Sequence, residues 1–184
     1  TREMSRLGGL WRAMPWTAGL FALGAMAVSA LPPLNGFVSE WLVYLGLFDA
    51  AIDRGPLAWA TMPAAIVLAM TGALALATFV KAAAMVFLGA PRTQPARLAH
   101  ESGPWMRAPM IALAAACVAL GLVPVLIWPA IARAAGAWHP GWGALEAPAP
   151  LATLGAVHLG LALLATGAAA WLWRRAQFPG LRRA

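Results

Sequence analysis

The chain has 184 residues, 62% of them hydrophobic and only 10% charged, a balance far from that of a soluble domain and one that places it in the bilayer. Its formal charge of +7 would suggest nucleic acid if the arginines formed a surface stripe, but they cluster at the ends of apolar runs, so no nucleic-acid partner is expected. A single cysteine, Cys117, excludes an internal disulfide and a CxxC motif, and His100, His139 and His158 have no ligand-like spacing, so no metal is expected either.

In chain order, the apolar runs predict an all-α polytopic transmembrane helical bundle with about four crossings, in one transmembrane unit covering residues 1–184. Thr1 stands where an initiator methionine would, and no signal-peptide pattern follows, so the chain reads as the C-terminal part of a longer polytopic protein. The first crossing covers residues 14–52, with Pro15 at a tolerated first-turn position and a break at residues 31–36. Pro32 and Pro33 lack donors and restrict the residues before them, and Gly36 follows closely. A second half-helix is expected from Phe37, with Asn35 as its N-cap.

The second crossing is expected over residues 58–88. The third covers 108–132, interrupted by Pro124 and Pro129, and the fourth covers 151–173. Four crossings put both termini and the loop 90–107 on one side. That side collects Arg2, Arg6, Arg12, Arg92, Arg97, Arg107, Arg174, Arg175, Arg182 and Arg183, ten of the thirteen basic residues. The other side holds Arg54 and Arg133 with Asp49, Asp53 and Glu146. Such asymmetry predicts cytoplasmic termini.

Two ionisable residues then fall at intermediate depth. Glu40 follows the break, and Lys81, the only lysine, lies eight residues before Gly89, on the order of 12 Å from the cytoplasmic end of its crossing. One reading is a buried Glu40–Lys81 pair that pins two helices. Snorkelling is a further escape for Lys81 alone. The other reading is proton transfer: burial disfavours both charged forms, while the positive end of the resumed half-helix favours the Glu40 anion, opposed effects that keep such groups exchangeable.

Supporting residues have two readings each. Tyr44, one turn after Glu40, either hydrogen-bonds the carboxylate or simply packs at the interface. Thr71 and Thr78 lie within roughly 80° of Lys81 on a helical wheel, which is either a hydrated stripe or two hydroxyls bonded back to their own helix. His158 is either a relay or a histidine bonded to a neighbouring helix.

The segments Met14-Pro15-Trp16-Thr17, Leu31-Pro32-Pro33-Leu34-Asn35-Gly36-Phe37-Val38-Ser39-Glu40-Trp41, Phe79-Val80-Lys81-Ala82 and Val86-Phe87-Leu88-Gly89 resemble the antiporter-like, proton-conducting membrane subunits of respiratory complex I, Mrp cation/proton antiporters and group-four hydrogenases. From Asn35 to Glu40 the wording is most similar to the hydrogenase-four and formate hydrogenlyase branch. The resemblance implies inverted helical bundles, each with a discontinuous helix, and a line of lysine, glutamate and histidine residues joined by water. Glu40 then falls on the ionisable position after the later break and Lys81 on a basic position of the next helix, with the family's earlier glutamate–lysine pair upstream of Thr1.

The expected function is that of a proton-translocating, non-redox membrane subunit of an oxidoreductase complex, hydrogenase or NADH:quinone oxidoreductase in type, in a bacterial-type inner membrane. Fe–S, nickel or flavin centres are expected only in partner subunits, because no ligands for them occur here. Expected partners are other membrane subunits, a peripheral hydrogenase or dehydrogenase module, and the lipid bilayer. Two alternatives stand: a monovalent cation/proton antiporter subunit, and a non-conducting membrane anchor of a redox complex.

Overall fold

The computed structural model describes residues 3–53, 55–139, 147 and 149–177, and among these there is no strand. Arg2, Arg54, Glu146, Arg182 and Arg183, invoked in the charge asymmetry, lie outside the described residues. The helices are α1 (Pro15–Val28), α2 (Asn35–Ile52), α3 (Ala58–Phe87), the single turn α4 (Gln94–Arg97), α5 (Pro104–Leu122), α6 (Trp128–Trp138) and α7 (Leu151–Gln177). By length and composition Ala58–Phe87, Pro104–Leu122 and Leu151–Leu172 are apolar enough to cross a membrane. Helix α1 is apolar but shorter.

The first break spans residues 29–34, two residues earlier than the prolines alone predict. After Val28 the chain tightens: Ala30 N–H reaches the Ala27 carbonyl and Leu31 N–H the Met26 carbonyl, with Ala30 in the left-handed region at φ 52°. The donorless Pro32 and Pro33 follow. Leu34, extended at φ −90° and ψ 165°, occupies the N-cap position, so Asn35 is the first residue inside α2 and not its cap. Its side-chain Oδ1 is instead buried without a hydrogen-bond partner.

The third apolar run also differs from expectation. With Gly103 extended before it, Pro104 starts α5 four residues early, as a proline at the first helical position permits. Pro124 then ends the run, the chain makes a 3₁₀ turn at Pro124–Leu126, and α6 restarts at Trp128 with Pro129 in its first turn. Helix α7 runs to Gln177, beyond the expected end near 173.

Helices α1 and α2 lie in tandem along α3, whose 30 residues rise roughly 45 Å. Phe21 of α1 packs on Phe79 and Phe87 near the C-terminal end of α3, with ring centroids 6.1 and 5.3 Å apart. At that same end the N-terminal segment and the loop after α3 form a cap. Leu10, Phe87 and Ala96 are its buried core, Gly9 N–H donates to the Leu88 carbonyl at 2.9 Å, and Thr93 Oγ1 donates to the Arg6 carbonyl at 2.9 Å. Elsewhere helices approach through small residues, as membrane bundles do when packing replaces the hydrophobic effect between helices.

Candidate functional site

Glu40 sits in the second turn of α2, and two glycines decide its surroundings. At Gly36 a Cβ would collide with the Ala27 carbonyl, so only glycine lets the start of α2 fold against the end of α1. At Gly72 of α3 a Cβ would stand 3.6 and 3.8 Å from the two Glu40 carboxylate oxygens, so the acid rests against bare α3 backbone. Gly72 is the midpoint of α3, roughly 21 Å from either end. If α3 spans the bilayer, the carboxylate is near its centre.

Around this acid lies an open cleft of about 580 Å³. Asn35, Ser39, Glu40, Thr71, Gly72 and Cys117 contribute to its lining, drawn from α2, α3 and α5. Glu40 is half-buried there, and its Oε1 accepts a hydrogen bond from the Tyr44 hydroxyl at 3.1 Å, one turn along α2. The remaining hydroxyls look inward to their own helices: Ser39 Oγ donates to the Gly36 carbonyl at 2.9 Å and Thr71 Oγ1 to the Val67 carbonyl at 2.8 Å. Thr78 does the same with the Leu74 carbonyl at 2.8 Å. Back-bonding is therefore the geometry of both threonines, although the Thr71 oxygen keeps an acceptor lone pair at the cleft wall.

Lys81 is not part of this site. It lies nine residues beyond Gly72, which turns it roughly 180° to the opposite face of α3 and moves it about 13 Å along the axis. Its side chain is exposed, and no ion pair joins it to Glu40. The pinned-pair reading is thus absent from this fold. His158 is also outside the cleft: it is 1% exposed, with Nδ1 2.7 Å from the Gly121 carbonyl oxygen and its ring edge-on to Phe37 at 5.3 Å.

The family described as "NADH:quinone oxidoreductase/Mrp antiporter, TM" matches residues 1–62, which hold the break and Glu40. Hydrogenase-4 component B of Escherichia coli K12 is 36% identical over 194 residues, covering 100% of this chain and 29% of that protein. Formate hydrogenlyase subunit 3 of the same organism is 37% identical over 134 residues, covering 72% of this chain and 22% of that protein. A protein of Rhizobium meliloti named as a probable K(+)/H(+) antiporter component is 34% identical over 124 residues, covering 67% of this chain and 12% of that protein. The chain belongs to the antiporter-like membrane-subunit family.

This antiporter-like chain spans less than a third of the length of the relatives it matches. It is an integral membrane subunit by family and by its apolar helices. Among the described residues no group of three or more His, Cys, Asp or Glu side chains is arranged to hold a metal ion.

One polar site escaped the sequence reading. Glu101, in the loop after α4, reaches back 84 residues to the first turn of α1, where its carboxylate accepts hydrogen bonds from Trp16 N–H at 2.8 Å, Thr17 N–H at 3.3 Å and Thr17 Oγ1 at 2.6 Å. Its neighbour Ser102 adds a backbone N–H at 3.0 Å. The Thr17 hydroxyl first, and these backbone donors after it, hold the acid at about 2, well below the ordinary 4.5, against the opposing effect of burial. A signal was available: Glu101 is the lone acid among Arg92, Arg97 and Arg107, and α1 starts after Met14, which has no capping side chain.

Proposed function

We propose that this chain is a proton-translocating membrane subunit of a hydrogenase or complex I-like assembly, with Glu40 as the group that binds and releases the proton. The carrying observation is a carboxylate at mid-length of α3, next to a helix break and open to a cleft, with one hydrogen-bond donor, Tyr44. Non-helical backbone at membrane depth persists where it lines a cavity or is buried in protein, and an acid there is a functional group by default. Water in the cleft delivers a proton to the anion that Tyr44 steadies. Release to water on another side restores that anion. Fe–S, nickel or flavin chemistry belongs in this reading to partner subunits and a peripheral module, and the coupling ion is the proton.

Lys81 enters as a second ionisable group that acts at a distance. A proton cannot pass directly between opposite faces of α3, so transfer between Lys81 and Glu40 runs through water around the helix.

The test is proton movement by the reconstituted intact complex. Glu40→Gln should abolish it while the redox reaction slows or runs uncoupled, Glu40→Asp should retain part, and Lys81→Met and Lys81→Arg should both slow it. Normal pumping by Glu40→Gln with Lys81→Met would overturn the reading and leave the chain as an anchor. The antiporter alternative draws on the relative named as a probable K(+)/H(+) antiporter component. It predicts proton movement that requires K⁺ or Na⁺ on the opposite side.

The orientation follows the arginine asymmetry, in a bacterial-type inner membrane with cytoplasmic termini. In a Cys117→Ala background, a cysteine at position 97 should react with an impermeant thiol reagent only from the cytoplasm and one at position 53 only from outside. Reaction of both from one face would overturn the orientation.

A further inference from the structure

Two helix interruptions meet in this fold, residues 29–34 between α1 and α2 and residues 123–127 between α5 and α6. The last turn of α5, just before the second of these, touches the first at Gly121. A Cβ there would collide with the Pro33 carbonyl and stand 2.7 Å from the Leu34 Cα. Helix α7 closes the junction from another direction: a Cβ at Gly155 would meet the Leu122 carbonyl oxygen at 2.7 Å and Pro124 Cδ at 3.3 Å. Three residues later His158 inserts, fully buried, between Gly121 and Phe37.

The protonation of this histidine follows from its partner. A carbonyl oxygen only accepts, so the 2.7 Å contact with Gly121 places a proton on Nδ1. The Gly121 carbonyl is in the last turn of α5, where the helix supplies no donor, and His158 supplies it instead. Nε2 is buried with no hydrogen-bonding neighbour among the described residues, so a second proton would create a stranded donor.

Phe37, against which the ring rests, lies three residues before Glu40 in the first turn of α2, close to the same face. We propose that His158 is a positioning residue for Glu40: an Nδ1–H donor that fastens the end of α5 to the first interruption and holds the opening turn of α2, and not a carrier of the translocated proton. The proposal rests on the reading of Glu40 as the proton-binding group.

Asparagine and glutamine separate the two roles, because Asn places an amide N–H near the position of Nδ1 and Gln near that of Nε2. In the intact complex, His158→Asn should keep proton movement within about twofold of the native rate, whereas His158→Gln should slow it about fivefold or more, as loss of a buried hydrogen bond implies. Cys117 lines the Glu40 cleft and gives a readout independent of transport: its labelling rate with N-ethylmaleimide should stay native in His158→Asn and change in His158→Gln. Phe37→Leu, which leaves the imidazole and Gly121 in place, should slow transport and alter Cys117 labelling together, and it keeps the test open if neither histidine variant assembles.

Equal loss of transport in Asn and Gln with native Cys117 labelling in both would make the imidazole a proton carrier and overturn the proposal. Native transport and labelling in His158→Gln, or in Phe37→Leu, would also overturn it. A Glu40→Gln complex measured in parallel separates the two readings: normal pumping there defeats the Glu40 role, while the labelling contrast still judges His158.

Discussion

Glu40 and Glu101 are the same residue type in two environments, and the hydrogen bonds around them differ. Glu101 receives donors from Trp16 and Thr17 at the start of α1 and from its own neighbour Ser102, and is held as an anion. Glu40 receives one donor, Tyr44, beside an open cleft. A carboxylate whose acceptor sites are filled by fixed donors resists protonation and serves as structure; one left largely open beside a cleft is the one we propose as the proton-binding group. Both acids stand near helix starts, so proximity to a helix N-terminus does not distinguish them.

The largest expected effect concerns the ground on which the contrast stands. Gly36→Ala must displace either α1 or α2, because its methyl would collide with the Ala27 carbonyl, and the subunit should fail to accumulate in the assembled complex, as immunoblotting of purified membranes would show. Gly72→Ala makes only ordinary contact with the Glu40 carboxylate and should assemble normally. Equal behaviour of the two would mean that the cleft geometry is wrong.

Next in size is Tyr44→Phe. Removing the single donor to Glu40 should slow proton movement by about fivefold, with the redox rate less affected, because one hydrogen bond is worth about 1 kcal/mol. If Tyr44→Phe pumps normally, the carboxylate does not depend on this partner.

Acid should sharpen the other half of the contrast. Glu101 is held lower in the folded protein, at about 2, than the ordinary 4.5, so its contribution to stability is fully present above about 4.5 and is lost as pH falls toward 2. Proteolysis of the loop 88–103 should therefore accelerate across that window in the native chain. In Glu101→Gln, which cannot ionise, the rate should already be raised at pH 6 and change little below 4.5. The smallest effect is expected at Thr78, whose hydroxyl is engaged by Leu74 of its own helix: Thr78→Val should alter proton movement by less than about twofold.

These contrasts show what was legible in the residues and what was not. Pro32 and Pro33 announce a break in any apolar run, and the fold has one; its limits shifted because Ala30 turns the chain before the prolines do. Asn35 looks like a cap by type, but Leu34 takes the extended position and leaves Asn35 inside the helix. The Thr71–Thr78–Lys81 stripe is a true feature of α3, yet a helical wheel carries no record of which face meets a neighbour. Gly72 meets Glu40 because it is small, and this turns Lys81 away. Tyr44 was readable because its partner is one turn distant. His158 was readable as a histidine bonded to a neighbouring helix, but not its partner, and Glu101 was not readable at all, since their partners lie 37 and 84 residues away and only packing brings them together.

The most direct test of the account is infrared difference spectroscopy of the working complex in the carboxyl C=O stretching region. A protonation band that appears and disappears with turnover is expected in the native complex, unchanged in Glu101→Gln and missing in Glu40→Gln. Persistence of the band in Glu40→Gln, or its loss in Glu101→Gln alone, would contradict the assignment of the exchangeable proton to Glu40.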